Sequence, residues 1–302
     1  MNAAKRRVVI TGASGLLGRT VIKEFNCNGW ETLGFAFSRI KPGLINVDIN
    51  DTSEVSKQLS AFKPDVLINC AAQRFPDKFD ENVEQSYNLN VKAAETIAKL
   101  CHTSGIHFLQ ISTDYVFSGN KAPYSESDET DAINNYGKSK ADAEKSIVNV
   151  THGKACVLRV PVLYGDEEYV GESAVSALIK DLLNTNTEKL VSDYELRNPS
   201  CVDDIASICV QLMNAKINDP DNVSGIYQWC GNETLTKYAM IQTMAKVFNK
   251  NADHIKPDPN PSKGSPRPFN TQMLRSRLQS LGIEKHTEFA KAVEKYFKKF
   301  IV

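Results

Sequence analysis

The chain has 302 residues, 41% of them apolar, and its 36 basic and 36 acidic side chains cancel to a formal net charge of zero. That length suits a nucleotide-sized unit carrying a smaller lobe, and the charge balance offers no electrostatic footprint for nucleic acid or an anionic membrane surface. No stretch approaches the roughly 18 uninterrupted apolar residues of a spanning helix, and Met1 to Arg7 lead straight into a strand without a signal-like apolar region, so a soluble, cytoplasmic protein is expected.

Through the first half, short β-branched runs alternate with segments of helical period, the pattern of right-handed βαβ units. Candidate strands are residues 8–11, 32–37, 44–47, 66–70, 108–112 and 155–160, whose near-continuous apolar character suits strands covered on both faces. Between them Leu17, Val21 and Phe25 recur at helical spacing, as do Val91, Ala94, Ile97, Ala98 and Cys101. The expected fold is α/β: a Rossmann-type doubly wound parallel sheet over residues 1–165, with a smaller substrate or partner lobe over 166–302 interleaved with it. Helices are expected there at 173–183, 202–214, 237–248 and 288–300. The stretch from Pro257 to Pro268 excludes regular helix or central strand and reads as a loop, either ordered and returning toward the cleft or flexible. Cys27, Cys70, Cys101, Cys156, Cys201, Cys209 and Cys230 lack CxxC spacing and read as buried free thiols. His102, His107, His152, His254 and His286 lack ligand spacing, so no catalytic metal is expected.

The first βα unit reads Val8-Val9-Ile10-Thr11-Gly12-Ala13-Ser14-Gly15-Leu16-Leu17-Gly18, with glycines at i, i+3 and i+6. Gly12 permits the tight turn, Gly15 lets backbone approach a pyrophosphate, and Gly18 allows the helix to pack closely on the strand. The helix N-terminus then offers free N–H groups to phosphates. A ligand-free tight turn would look similar, but the position in the first βα unit favours dinucleotide binding. The GxxGxxG spacing resembles the short-chain dehydrogenase/reductase superfamily, and the length resembles its extended branch.

After the second strand comes Phe37-Ser38-Arg39, where an acidic residue would bond the ribose of NAD. Ser38 and Arg39 instead suit a 2′-phosphate, through charge-assisted bonds worth roughly 1.5–3 kcal/mol each, so NADP or NADPH is expected; the alternative is a solvated loop charge. Asp48-Ile49 resembles the superfamily's adenine-contacting pair, or is a turn.

Tyr136 and Lys140 stand four residues apart, on one helix face. A free tyrosine has a pKa of about 10, and the Lys140 ammonium would favour its ionised form. A solvent-facing pair is the bland alternative, but the flanking Ile111-Ser112-Thr113-Asp114-Tyr115 and Leu158-Arg159-Val160-Pro161-Val162 resemble extended-branch motifs. The resemblance implies that Tyr136 donates a proton to a substrate carbonyl, Lys140 bonds the nicotinamide ribose and Thr113 polarises the carbonyl. It also implies cofactor contacts from Cys70-Ala71-Ala72, Val160 and Pro161, and from Asn90, which matches the superfamily's structural asparagine.

The strings STDYVFSG, PYSESD and NNYGKSKADAEK resemble the group that holds dTDP-4-dehydrorhamnose reductases and regulatory β subunits of methionine adenosyltransferase. LRVPVLYG, GESAVSAL, Gln228-Trp229-Cys230-Gly231-Asn232-Glu233, Thr236-Lys237-Tyr238 and RPFNTQML read closer to the β subunits. That implies an NADP-binding regulator that associates with a methionine adenosyltransferase catalytic subunit and tunes S-adenosylmethionine synthesis. The alternative is an NADPH-dependent reductase acting on a dTDP-sugar in dTDP-L-rhamnose synthesis; an NADP-sensing scaffold for another partner is a third class. Some β subunits continue into a short aromatic and basic tail, whereas Phe300-Ile301-Val302 ends this sequence, so docking through a folded surface is expected. Arg197 and Arg267 match cleft positions where a guanidinium could grip a substrate diphosphate, or cap loops.

Overall fold

The computed structural model describes residues 5–301; the first four residues and Val302, which belong to the expected terminal segments, lie outside the described residues. The chain runs β1 (Arg7–Thr11), α1 (Leu16–Cys27), β2 (Glu31–Ala36), β3 (Leu44–Asn46), α2 (Thr52–Phe62), β4 (Val66–Asn69), α3 (Pro76–Glu81) and α4 (Val83–Tyr87). A π-helical stretch, Asn88–Ala93, leads into α5 (Ala94–Thr103), β5 (His107–Thr113), α6 (Asn135–Val150) and β6 (Cys156–Val160). Then come β7 (Leu163–Tyr164), α7 (Leu178–Leu183), β8 (Lys189–Ser192), β9 (Ser200–Cys201), α8 (Val202–Asn218), β10 (Gly225–Gln228), α9 (Lys237–Val247), β11 (Ile255–Asp258), α10 (Ser276–Ser280) and α11 (Phe289–Ile301).

Seven strands form one parallel sheet in the order β10-β6-β5-β4-β1-β2-β3, so the order reverses beside β1. The continuous apolar runs are explained by alternation. Val8, Ile10, Val66, Ile68, Leu109 and Ile111 point into one core with Val21 and Phe25 of α1 and Ile205, Ile208 and Leu212 of α8. Val9, Leu67 and Phe108 point the other way, against Val55 and Leu59 of α2 and Ile97 and Cys101 of α5. Each such buried side chain contributes about 1.5–3 kcal/mol, enough for the two faces together to fix the register.

Beyond residue 165 the chain returns to this sheet: α8 packs on α1 and β10 adds a strand beside β6. A separate core of Tyr164, Ile179, Met244, Phe289, Val293 and Phe297 forms away from the sheet. The strands and helices read from the sequence are present, with shifted ends. The helix expected at 173–183 begins only at Leu178, because Ser173 and Ser176 hydroxyls donate to the buried Glu167 carboxylate and hold the preceding residues in turns. β10 lies outside the expected strands. Pro257 does lie in a strand, β11, whose one partner is β8; an edge strand tolerates the missing N–H. Five of the seven free cysteines are buried, Cys70 is half-buried and Cys27 is exposed. Among the described residues no helix is long and apolar enough to cross a membrane.

Candidate functional site

A cavity of about 800 Å³ opens at the carboxyl ends of the central strands and extends to α9, where Lys237 and Met240 line it. Its floor is the glycine turn. Gly12 adopts φ +61°, and a Cβ there would stand 2.8 Å from the Ala71 backbone nitrogen. Gly18 packs against the turn itself rather than the strand, since its Cβ would lie 2.3 Å from the Gly12 carbonyl oxygen. Gly15 precedes α1 with extended backbone and no side-chain cap, leaving the first N–H groups of α1 free for an anion. Gly12, Ser14, Gly15, Leu16, Leu17 and Gly18 all line the cavity.

Behind the turn a buried polar row crosses three strands. Thr11 Oγ1 donates to Asn69 Oδ1 (2.5 Å), Asn69 Nδ2 to Gln110 Oε1 (2.8 Å) and Gln110 Nε2 to the Ile111 carbonyl (2.7 Å). It fixes the exit of β4, so that Cys70, Ala71 and Ala72 form one cavity wall. Asn90 lies behind that wall rather than on it. Its Oδ1 accepts from Gln73 N (2.8 Å) and its Nδ2 donates to Ser139 Oγ (3.2 Å), tying the loop after β4 to α6.

α6 starts at an Asn134 cap whose Oδ1 accepts from Gly137 N (2.7 Å). Gly137 presses on the turn that follows β5 so tightly that a Cβ would meet the Tyr115 carbonyl at 2.1 Å. This contact delivers Tyr136 to Thr113, and Thr113, Tyr136 and Lys140 line the same cavity. Burial pushes the Tyr136 phenol up to about 12, with the neighbouring Thr113 hydroxyl and the Arg74 charge acting in the opposite sense. Burial lowers Lys140 to about 8, opposed by Glu144 and Cys70, while its Nζ donates to the Ile111 carbonyl at 2.8 Å. Arg74, which also lines this cavity, brings a second cation to the end of the site that holds Tyr136 and Lys140. Glu144 is itself buried in an ion pair with Arg159 (2.7 Å), which also donates to Gln228 Oε1 (3.1 Å).

At the opposite end Ser38, Arg39, Asp48 and Ile49 line the cavity, with Ser38 and Arg39 exposed. Asp48 Oδ1 accepts from Asn50 N and Nδ2, both at 2.9 Å, so it also shapes its turn. Val160 and Pro161 line the wall after β6. Arg197 and Arg267 reach the cavity too, but their guanidinium groups are engaged within the protein. Arg197 donates to the carbonyls of Leu196 (2.7 Å) and Pro268 (2.9 Å); Arg267 donates to Asp77 (2.6 Å) and to the Ser265 carbonyl (2.9 Å). The loop from Pro257 to Pro268 thus returns to the cleft and is held against α3. No cluster of three or more His, Cys, Asp or Glu side chains suited to a metal ion occurs among the described residues.

Residues 6–302 match the RmlD substrate binding domain family. The chain is 40% identical over 298 residues to methionine adenosyltransferase 2 subunit beta of Xenopus tropicalis, covering 98% of this chain and 89% of that one. It is 38% identical over 303 residues to the subunit of the same name from Mus musculus, covering 100% and 90%. A dTDP-4-dehydrorhamnose reductase from Aggregatibacter actinomycetemcomitans is 32% identical over 234 residues, 77% of this chain and 76% of its own. In fold, the chain matches the dTDP-4-dehydrorhamnose reductase of Bacillus anthracis, solved in complex with NADP, with a TM-score of 0.85 at 24% identity, covering 99% and 100%.

Proposed function

The chain belongs to the RmlD substrate binding domain family, and from that membership we propose that it is an NADP-binding regulatory β subunit of methionine adenosyltransferase, modulating S-adenosylmethionine synthesis by a catalytic partner. The observation that carries this reading is the identity of 38–40% over 98–100% of the chain with proteins named as that subunit, against 32% over 77% for the reductase.

The site's residues fit a dinucleotide. The three glycines remove Cβ atoms where backbone must approach backbone or phosphate, and the uncapped start of α1 supplies N–H donors. Ser38 and Arg39 would hold the 2′-phosphate, Asp48 and Ile49 the adenine, and the walls of Cys70–Ala72 and Val160–Pro161 the remainder; Asn90 supports them from behind. NADP supplies hydride-transfer chemistry when bound. Affinity purification from the native source tests the assignment: methionine adenosyltransferase should co-purify, and its consistent absence counts against the reading.

The grouping of Thr113, Tyr136 and Lys140 on one cavity supports a second reading, an NADPH-dependent dTDP-4-dehydrorhamnose reductase. With its phenol pushed up to about 12, Tyr136 is held in the protonated state that a general acid requires, and Thr113 lines the same cavity. The assay is NADPH oxidation with dTDP-4-dehydro-6-deoxy-L-mannose. Turnover that collapses in Tyr136→Phe at unchanged cofactor affinity would promote this reading; cofactor binding without oxidation retires it.

A further inference from the structure

Glu172 lies in the turns between β7 and α7 with its carboxylate fully buried. Arg19 holds it with two nitrogens, Nη1 to Oε1 at 2.8 Å and Nη2 to Oε2 at 2.9 Å, while the same Nη1 donates to the Ser14 carbonyl of the glycine turn at 2.9 Å. Arg39 approaches the same Oε1 at 3.6 Å, and Arg74 donates to the Glu172 carbonyl oxygen. These arginines follow β1, β2 and β4, three neighbours in the sheet. One glutamate therefore gathers the cations that surround the proposed phosphate sites.

The two ion pairs are unequal. Arg19 is bidentate and only 19% exposed, whereas Arg39 is 41% exposed and stands beyond hydrogen-bond distance. A carboxylate and a phosphate offer a guanidinium equivalent oxygen acceptors, so a 2′-phosphate at Arg39 would compete directly with Glu172. Arg39 can exchange at small cost; Arg19 cannot.

Building on the NADP reading, we propose that Glu172 is a specificity-determining residue of the nucleotide site: an internal anion that holds Arg39 in reserve and yields it to the 2′-phosphate, while keeping Arg19 in place. NAD has no group to claim Arg39 and leaves the pair intact. Glu172 thereby tempers affinity for NADP and scarcely touches affinity for NAD.

Calorimetry of NADP and NAD on the full chain tests this with wild type, Glu172→Gln, Arg39→Ala and the double variant. Glu172→Gln should tighten NADP about three- to tenfold, leave NAD within about twofold, and lose its gain when Arg39 is alanine. Unchanged or weaker NADP binding in Glu172→Gln, or a gain that persists without Arg39, overturns the proposal. If the glutamine variant does not fold, Glu172→Asp withdraws the anion from Arg39 by one methylene and should act in the same direction, with the same contrary result. A folded wild type that binds neither nucleotide overturns the NADP reading itself, and this inference with it.

Discussion

A Cβ on Gly18 would stand 2.3 Å from the carbonyl oxygen of Gly12, so the third glycine of the turn is dictated by the first. Gly18→Ala must push the start of α1 away from the turn, at a cost of about 1–3 kcal/mol, and should weaken NADP binding more than tenfold. At Gly15 the nearest such contact is 3.2 Å, so Gly15→Ala should cost less stability. Urea unfolding and calorimetry on both variants check the order; equal or negligible losses would contradict it.

Arg39 lines the cavity, is exposed, and has one long contact to Glu172. Arg39→Ala should therefore weaken NADP binding about tenfold, equivalent to about 1.4 kcal/mol, and leave NAD unchanged. Wild-type protein should in turn prefer NADP over NAD by at least that factor. Equal affinities for the two nucleotides would remove Arg39 from the phosphate site.

Lys140 gives a pH signature with a definite sign. Burial lowers its pKa from 10.5 to about 8 in the folded chain, so between those values the unfolded chain binds more protons and stability rises with pH. Its contribution is present above 10.5 and is lost as pH falls through about 8. Tyr136 acts oppositely at higher pH: its pKa is raised from 10 to about 12, so its contribution is present below 10 and lost between 10 and 12. Measured from pH 8 to 10, wild type should gain on the order of 2 kcal/mol relative to Lys140→Met. A flat difference across that window would show that Lys140 titrates normally.

The parallel sheet was legible because its strands are apolar on both faces and alternate with helical stripes, and the turn because three glycines stand at a spacing with a mechanical reason. Tyr136 and Lys140 were legible by their four-residue interval. What stayed hidden was long-range pairing. Nothing local marks Thr11, Asn69 and Gln110 as one hydrogen-bonded row, or Glu172 as the partner of Arg19 across 153 positions. Arg74 likewise looks like a loop charge until the fold brings it to the Glu172 carbonyl. Asn90 was marked by its motif as a structural asparagine near the cofactor; the partners that it braces, Gln73 and Ser139, come only from the fold. Arg197 and Arg267 line the cavity, and only the fold reveals the carbonyls and carboxylate to which they donate.

The central claim is association with a methionine adenosyltransferase catalytic subunit. A folded-surface interface of standard size buries about 1,200–2,000 Å² in total and depends on a few well-packed anchors, so binding should be detectable at micromolar concentration. Size-exclusion chromatography and calorimetry of the purified chain with the matching catalytic subunit, with and without NADP, should give a complex and altered methionine kinetics. Absence of a complex under both conditions, with methionine kinetics unchanged, would contradict the regulatory assignment and leave the reductase reading in its place.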